Sequence, residues 1–196
     1  MRSLPTLTAV ALGLTLAGCV SLGGAEPPSE LLTLTADSTA PAGQTAQGDP
    51  KNGIAVVGIA APQRLDVLRV PVQVDATSVA YLKDAQWVEK PATLFERLLA
   101  ETLRARTGRM VLEGADAEFT AKTRLAGQLA RMGYDAPSGS VIIRYDAVLI
   151  LPDGTYRTQR FEERVSGVAP EAEAVGPVLN QVANTIAGQV AAWVGG

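Results

Sequence analysis

The feature that most constrains this chain is an apolar stretch at its start that ends in the protein's single cysteine. Arg2 supplies a positive charge, and residues 4–17 are apolar or small, with Pro5 and Gly13 interrupting them. A helix needs roughly 20 apolar residues to cross a bilayer, so this stretch is too short and too broken for a stable span. A basic residue, a short apolar core and a small-residue end are typical of a secretory signal peptide. We therefore expect the fold to be built only from the residues after this segment.

The end of this segment, Leu16 to Cys19, matches a complete lipobox. The match predicts that residues 1–18 are a lipoprotein signal peptide that is cut before Cys19. It also predicts a diacylglycerol on the Cys19 thiol and a further acyl chain, such as palmitate, on its amine. Several acyl chains anchor a protein almost permanently, whereas one chain does so only marginally. The alternative, an ordinary buried cysteine at the end of an apolar helix, leaves the basic residue and the four-residue match without an explanation.

The residues after the cysteine indicate where the protein resides. Residues 19–30 are small, polar and rich in Pro and Gly, which is typical of a flexible leash between a lipid anchor and a folded domain. Val20 is not the aspartate that often retains lipoproteins in the inner membrane. We therefore expect a lipid-anchored protein of the outer membrane that faces the periplasm.

The residue composition excludes several kinds of chemistry. The chain has no histidine, and Cys19 is its only cysteine, so the commonest general base and metal ligands and an intramolecular disulfide are missing. No nucleophile elbow, phosphate loop, dinucleotide fingerprint or calcium loop occurs. The formal charge is −3 and the arginines are scattered singly, which argues against a nucleic-acid footprint. We therefore expect a protein that is not an enzyme, needs no metal or cofactor and has no nucleic-acid partner.

Residues 31–196 are predicted to form one domain of the α/β class, with a mixed β-sheet and two long amphipathic helices. A short strand is expected at 31–34 and a loose surface loop at 36–52. The other main strands are predicted at 53–61, 110–112, 121–134, 140–151 and 155–165, with the last three forming a meander.

Two further β predictions rest on single residues. Alternating apolar side chains predict a strand at 68–74, and Pro71 favours an edge position for it because proline has no N–H to donate. Lys83 and Asp84 are expected to form the turn of a small hairpin between strands at 79–82 and 86–89.

The first predicted helix begins at Pro91, where the missing N–H costs nothing, and ends at Gly108. Thr93 and Glu96 are spaced as in a capping box, and Arg97–Glu101 is spaced for an i,i+4 ion pair. Six residues are expected on its buried face: Leu94, Phe95, Leu98, Leu99, Thr102 and Leu103.

The second predicted helix covers residues 170–193 and carries a continuous apolar stripe. The stripe is expected to pack on the sheet. The alternative is an amphipathic membrane helix, which would need Lys or Arg on its polar face, and this segment has neither. Seven residues make up the stripe: Val175, Val178, Leu179, Val182, Ile186, Val190 and Trp193.

The order of these elements resembles a known family. Arg64-Leu65-Asp66 precedes Val70-Pro71-Val72, and Gln86-Trp87-Val88-Glu89 stands directly before the first helix. A β-rich middle and a terminal helix rich in Ala and Val follow. From about residue 31 to residue 194 the chain resembles the ABC-type transport auxiliary lipoproteins, the lipoprotein component of transporters with mammalian-cell-entry (MCE) domains. The loop at 36–52 and the leucine at position 31 depart from the family pattern.

The resemblance implies an α/β sandwich without catalytic residues. It implies as partners an MCE-domain periplasmic protein with its ABC permease and ATPase, in a system that carries phospholipid or other lipophilic compounds between the two membranes. The alternative function is a structural or assembly lipoprotein, such as a small outer-membrane chaperone, unrelated to ABC transport. Trp87 is expected to anchor the core rather than to contact a partner, and a homo-oligomer remains possible.

Overall fold

The computed structural model describes residues 30–114 and 116–196, so the predicted signal peptide, Cys19 and the leash up to residue 29 lie outside the described residues. A mixed sheet of seven strands packs against two long helices, which confirms the predicted α/β class. In chain order the elements are β1 (Ile54–Ala60), β2 (Arg69–Gln73), β3 (Val79–Gln86), α1 (Pro91–Thr107), β4 (Val111–Leu112), α2 (Ala117–Thr120), β5 (Thr123–Asp135), β6 (Ser140–Ile150), β7 (Tyr156–Ser166) and α3 (Ala172–Gly195). Three 3-10 turns lie at Pro50–Asn52, Gln63–Leu65 and Ala136–Ser138.

The longest strand, β5, organises the sheet. One of its edges pairs with β6 over its whole length, and β6 in turn pairs with β7, which gives the predicted meander. The other edge pairs in parallel with β1 near the start of β5 and with β2 near its end. β4 extends the β1 side and β3 extends the β2 side. β3 and β7 therefore lie on opposite sides of β5.

The two long helices bury their apolar faces on one side of the sheet. All six residues predicted for the buried face of α1 are buried. In α3 the predicted stripe is buried except for Val178 and Trp193, which are half-buried, so the stripe packs on the sheet as predicted. Phe95 of α1 meets Tyr145 of β6 edge-to-face with ring centroids 5.2 Å apart. The short α2 lies on the opposite side, against Ala55 of β1.

The predicted edge position of Pro71 is wrong. β2 lies between β3 and β5, so Pro71 is inside the sheet. The β2–β3 register shifts between Arg69 and Pro71, and such an irregularity is where a strand tolerates a missing N–H. Gly133 of β5 lets the two strands approach closely, because a Cβ built on it would lie 2.2 Å from the Pro71 carbonyl oxygen.

The predicted hairpin around Lys83 and Asp84 is also wrong. Both residues lie within the single strand β3, and the hairpin turn is formed by residues 74–78 between β2 and β3. Tyr81 to Gln86 on β3 span the same length as Pro71 to Arg69 on β2, so the extra residues of β3 bulge outward. Asp84 adopts a φ of 55° in this bulge. A bulge and a hairpin turn favour the same polar residues, which explains the error.

Two local predictions for α1 fail at its N-terminal end. Lys90 is the N-cap and makes no side-chain capping bond, while Glu96 accepts a hydrogen bond from the Ile59 N–H at 3.3 Å. Arg97 pairs with Glu89 at 2.6 Å instead of with Glu101. The start at Pro91 and the end at Gly108, whose φ is 63°, are confirmed.

Candidate docking surfaces

Cys19, the predicted lipidation site, lies outside the described residues, but the structure shows where the chain that follows it joins the domain. The Leu32 N–H donates to the Gln86 carbonyl at 2.7 Å, and the Leu32 carbonyl accepts from the Val88 N–H at 2.9 Å. Leu32 thus forms a parallel bridge beside Trp87, at the end of β3. The strand predicted at 31–34 is reduced to this single bridge.

Residues 31–40, here called the strap, then run in extended form across both long helices. The Thr35 and Asp37 N–H groups donate to the side-chain oxygens of Asn180 and Asn184 in α3, both at 2.8 Å. The Ala40 N–H donates to Glu101 of α1 at 2.8 Å. Alternate strap residues are half-buried against the core. The loop predicted at 36–52 is therefore bound to the helices at its start and is exposed over most of 41–52.

Three exposed apolar residues lie on adjoining segments where the strap meets the sheet. Leu31, Leu68 and Val88, here called the leash-side patch, are 50%, 38% and 47% exposed. Their segments adjoin through the two Leu32 hydrogen bonds and a bond of 2.8 Å from the Trp87 N–H to the Leu68 carbonyl. Single exposed apolar residues are ordinary, but several on adjoining segments are typical of an interaction site.

Charged side chains cover the outer face, which is the side of β5, β6 and β7 that points away from α1 and α3. Arg144 pairs with Glu162 directly across β6 and β7, and Asp146 pairs with Arg160 through two contacts of 2.5 and 3.1 Å. Further along, Asp135 lies 3.0 Å from Arg131 and 3.6 Å from Arg164.

Two carboxylates of the outer face, Asp135 and Asp146, have lowered pKa values that favour the charged form. The Ser138 hydroxyl, followed by Arg131 and Arg164, holds the pKa of Asp135 below its ordinary value. Hydrogen bonds and charge from Arg160, with a smaller effect of Arg144, lower the pKa of Asp146 in the same way. The outer face therefore keeps alternating fixed charges at neutral pH.

The apolar stripes of the helices are occupied by the core and are not available to a partner. Trp87 belongs to this core, since it is 1% exposed, which confirms its predicted role as an anchor. Its indole Nε1 has no hydrogen-bond partner among the described residues. A partner can therefore use the leash-side patch, the outer face, the strand edges, the loops or the exposed sides of the helices, but not the buried stripes.

Two features of the described residues concern metal ions and membranes. In residues 30–114 and 116–196, no three carboxylate, histidine or cysteine side chains are grouped so that they could hold a metal ion. Over the same residues, no helix combines the length and apolarity that crossing a bilayer requires.

Two solved structures share the fold. A crystal structure of a Xanthomonas campestris protein from the DUF330 family matches with a TM-score of 0.69 and 15% identity, over 85% of this chain and 94% of that one. A crystal structure of an uncharacterized protein matches with a TM-score of 0.63 and 15% identity, over 84% of this chain and 99% of that one. No curated protein is significantly similar to this chain. The family model for the ABC-type transport auxiliary lipoprotein component matches residues 32–187.

Proposed function

This chain belongs to the ABC-type transport auxiliary lipoprotein family, and on that premise we propose that it is the periplasm-facing lipoprotein subunit of an MCE-type ABC transporter. In this role it is a docking part, not a catalyst, in the traffic of phospholipid or other lipophilic compounds between the inner and outer membranes. The family match over residues 32–187 is the observation that carries the proposal.

The partner in this proposal is the MCE-domain periplasmic protein, together with its permease and ATPase. Residues 20–30 reach at most about 36 Å when fully extended, at roughly 3.3 Å per residue. This reach is short compared with the periplasm, so the partner must approach the membrane that holds Cys19. A tall MCE assembly rooted in the inner membrane could do so, which makes an anchor in the outer membrane consistent with this partner.

The docking contact proposed here is the leash-side patch. Leu31, Leu68 and Val88 expose apolar side chains beside the point where the leash begins, so a partner that reaches the membrane holding Cys19 comes close to them. Burying exposed apolar area provides the main free energy of most protein associations. The outer face contributes less affinity, because its charges already pair with one another and would lose water on docking.

Affinity purification of the full-length lipoprotein from solubilised membranes tests the partner and the surface together. The wild type should recover the MCE protein, the permease and the ATPase. A double variant, Leu68→Ser with Val88→Ser, should lose most of this recovery. The matched control is Phe119→Ser, which removes an 86% exposed apolar side chain on α2 and should leave recovery unchanged.

Two outcomes would count against this proposal. Recovery of a different outer-membrane complex, with no transporter component, would favour a structural or assembly lipoprotein. Equal recovery by the wild type and the double variant would move the contact away from the leash-side patch. The neighbouring genes offer an independent test, since genes for a permease, an ATPase and an MCE protein beside this one support transport.

The anchor is tested separately. Cys19→Ser should leave an uncleaved or mislocalised precursor, and intact-mass analysis of the wild-type membrane fraction should show a mature chain that begins with acylated Cys19. An unmodified cysteine would contradict lipidation. Membrane fractionation tests the proposed location, and residence in the inner membrane would refute it.

A further inference from the structure

β7 presents a long edge that no other strand of the described residues covers. It spans 11 residues and pairs only with β6. Such an edge exposes backbone N–H and C=O groups that can accept another strand, and proteins usually shorten, cover or charge their edges to prevent this. β7 is not short, and no second strand pairs with it within residues 30–114 and 116–196, so its charge pattern decides which strand it can accept.

The sequence of β7 is complementary to itself when two copies run antiparallel about Phe161. In this register Arg160 stands opposite Glu162 of the second copy, and the two-fold symmetry repeats the pair. Gln159 stands opposite Glu163, and the Gln159 amide N–H can donate a hydrogen bond to the Glu163 carboxylate. Opposite charges directly across an antiparallel pair stabilise it, and like charges destabilise it.

Neighbouring registers lack this complementarity. If the two-fold axis moves to Glu162, that carboxylate meets its own copy and Arg160 meets Arg164. If the axis moves to Arg160, that guanidinium meets its own copy. Because side chains alternate between faces, an antiparallel symmetric pair can place its axis only on a residue. The register centred on Arg160 also sets Arg157 opposite Glu163. Among these three adjacent registers, only the one centred on Phe161 pairs opposite charges without setting like charges against each other.

The ion pairs already present extend into the second copy in this register. Asp146 of β6 lies against Arg160 of β7, and Glu162 lies against Arg144. Joining Arg160 to Glu162 of the second copy gives a row of four side chains across four strands, with charges that alternate in sign. The row is Asp146, Arg160, Glu162 of the second copy and Arg144 of the second copy. Each charge in the row then has neighbours of opposite sign.

Packing on the helix side holds the centre of β7 in place. Phe161 is 4% exposed and meets Trp193 of α3 edge-to-face, with ring centroids 5.8 Å apart. The Gln189 side chain donates to Glu163 at 2.5 Å. A strand held in this way loses little conformational freedom when it pairs.

We propose that β7 is the interface with a second copy of this chain, with the two strands antiparallel about Phe161 and the two sheets continuous. The two-fold axis is perpendicular to the sheet, so both helix layers lie on one side of it. Both straps cross their helices on that same side, which lets both lipid anchors enter one membrane.

Two charge reversals test the register in the full-length lipoprotein. Arg160→Glu and Glu162→Arg each place two like-charged pairs in a symmetric dimer, whereas a mixed dimer of the two variants contains only opposite pairs. Two differently tagged copies should therefore co-purify from detergent extracts about tenfold less for either variant alone. Co-expression of the two variants should restore recovery to within about threefold of the wild type. Lys83→Glu, on β3 at the other edge of the sheet, is the control and should leave co-purification unchanged.

Disulfide trapping gives a second measurement that does not depend on affinity. Directly opposite residues have Cβ atoms about 4.5–5.5 Å apart, close to the separation that a disulfide needs. Cells that express Arg160→Cys and Glu162→Cys together should yield a mixed disulfide dimer, and Lys83→Cys should yield none. The only native cysteine is Cys19, which does not lie on β7.

Three results would overturn the proposal. The first is that tagged wild-type copies do not co-purify, and the second is that either charge-reversal variant alone co-purifies as well as the wild type. The third is that co-expressed charge-reversal variants do not restore co-purification and the co-expressed cysteine variants form no disulfide dimer. Capture of a different protein's strand by β7 would appear as the first result. The docking proposal does not depend on this outcome, because the leash-side patch lies at the β3 side of the sheet and β7 at the other.

Discussion

At the scale of single residues, Trp87 links three segments that are distant in sequence. Its backbone N–H donates to the Leu68 carbonyl at 2.8 Å, its backbone forms a bridge with Leu32, and its ring is buried. Trp87→Ala should lower the free energy of unfolding by about 3 kcal/mol, because it removes a large core side chain and leaves a cavity. Denaturant unfolding measures this change, with half-buried Trp193→Ala as a control that should cost less. A change near zero for Trp87→Ala would contradict its role as a core anchor.

The lowered pKa of Asp135 predicts how the stability of the fold depends on pH. Ser138, Arg131 and Arg164 lower its pKa in the folded protein below the ordinary 3.8, so the folded state favours the charged form. This contribution is present above the unfolded pKa and is lost as the pH falls through the folded pKa. Asp135→Asn should therefore reduce stability by roughly 1–2 kcal/mol at neutral pH, and the difference should shrink below a pH of about 3.8.

Denaturant unfolding at several pH values measures the Asp135 effect. Asp116→Asn is a suitable control, because Asp116 is exposed and its side chain makes no capping bond, so it should show little difference at any pH. A gap between the wild type and Asp135→Asn that grows in acid would have the wrong sign for a lowered pKa.

At the scale of secondary-structure elements, periodicity predicted the two long helices and the three-strand meander. Apolar spacing in α1 and α3 reports directly which side faces the sheet, and Gly108 and Gly154 end elements by taking positive φ. Predictions from single polar residues failed more often. Thr93, Glu96 and Lys83 have partners or positions that depend on distant segments, which local sequence does not specify.

The bulge in β3 gives a prediction at this scale. Asp84 has a φ of 55°, a conformation that a β-branched residue adopts only with strain. Asp84→Val should cost about 1–2 kcal/mol. The neighbouring Lys83→Val, exposed and without positive φ, should change stability by less than about 0.5 kcal/mol. Thermal unfolding of both variants measures the difference, and equal costs would show that the bulge is not strained.

The leash-side patch could not have been predicted as a unit. Its members lie at positions 31, 68 and 88, and each is an ordinary apolar residue in its own segment. Only the bridge at Leu32 and the end of β3 bring the three segments together. The residue pattern of a single segment reports which side of that segment is buried, whereas a surface assembled from three segments depends on the tertiary fold.

At the scale of the whole molecule, one continuous core joins both long helices to the sheet. A core of this kind needs no metal to close it, so the domain from about residue 29 onward should fold alone. Thermal melts with and without a chelator should coincide. A clear drop in the melting temperature with chelator would show that a metal ion contributes to stability.

The strap has a mechanical consequence for the proposed lipid anchor at Cys19. A pull on the anchor reaches the domain through Leu32 and then through the bonds at Thr35, Asp37 and Ala40. Force along the axis of this extended segment loads these bonds together, in shear, instead of peeling them one after another. Tension on the proposed anchor is thereby shared between the sheet and both long helices, so the domain resists being unfolded from the end where Leu32 enters it.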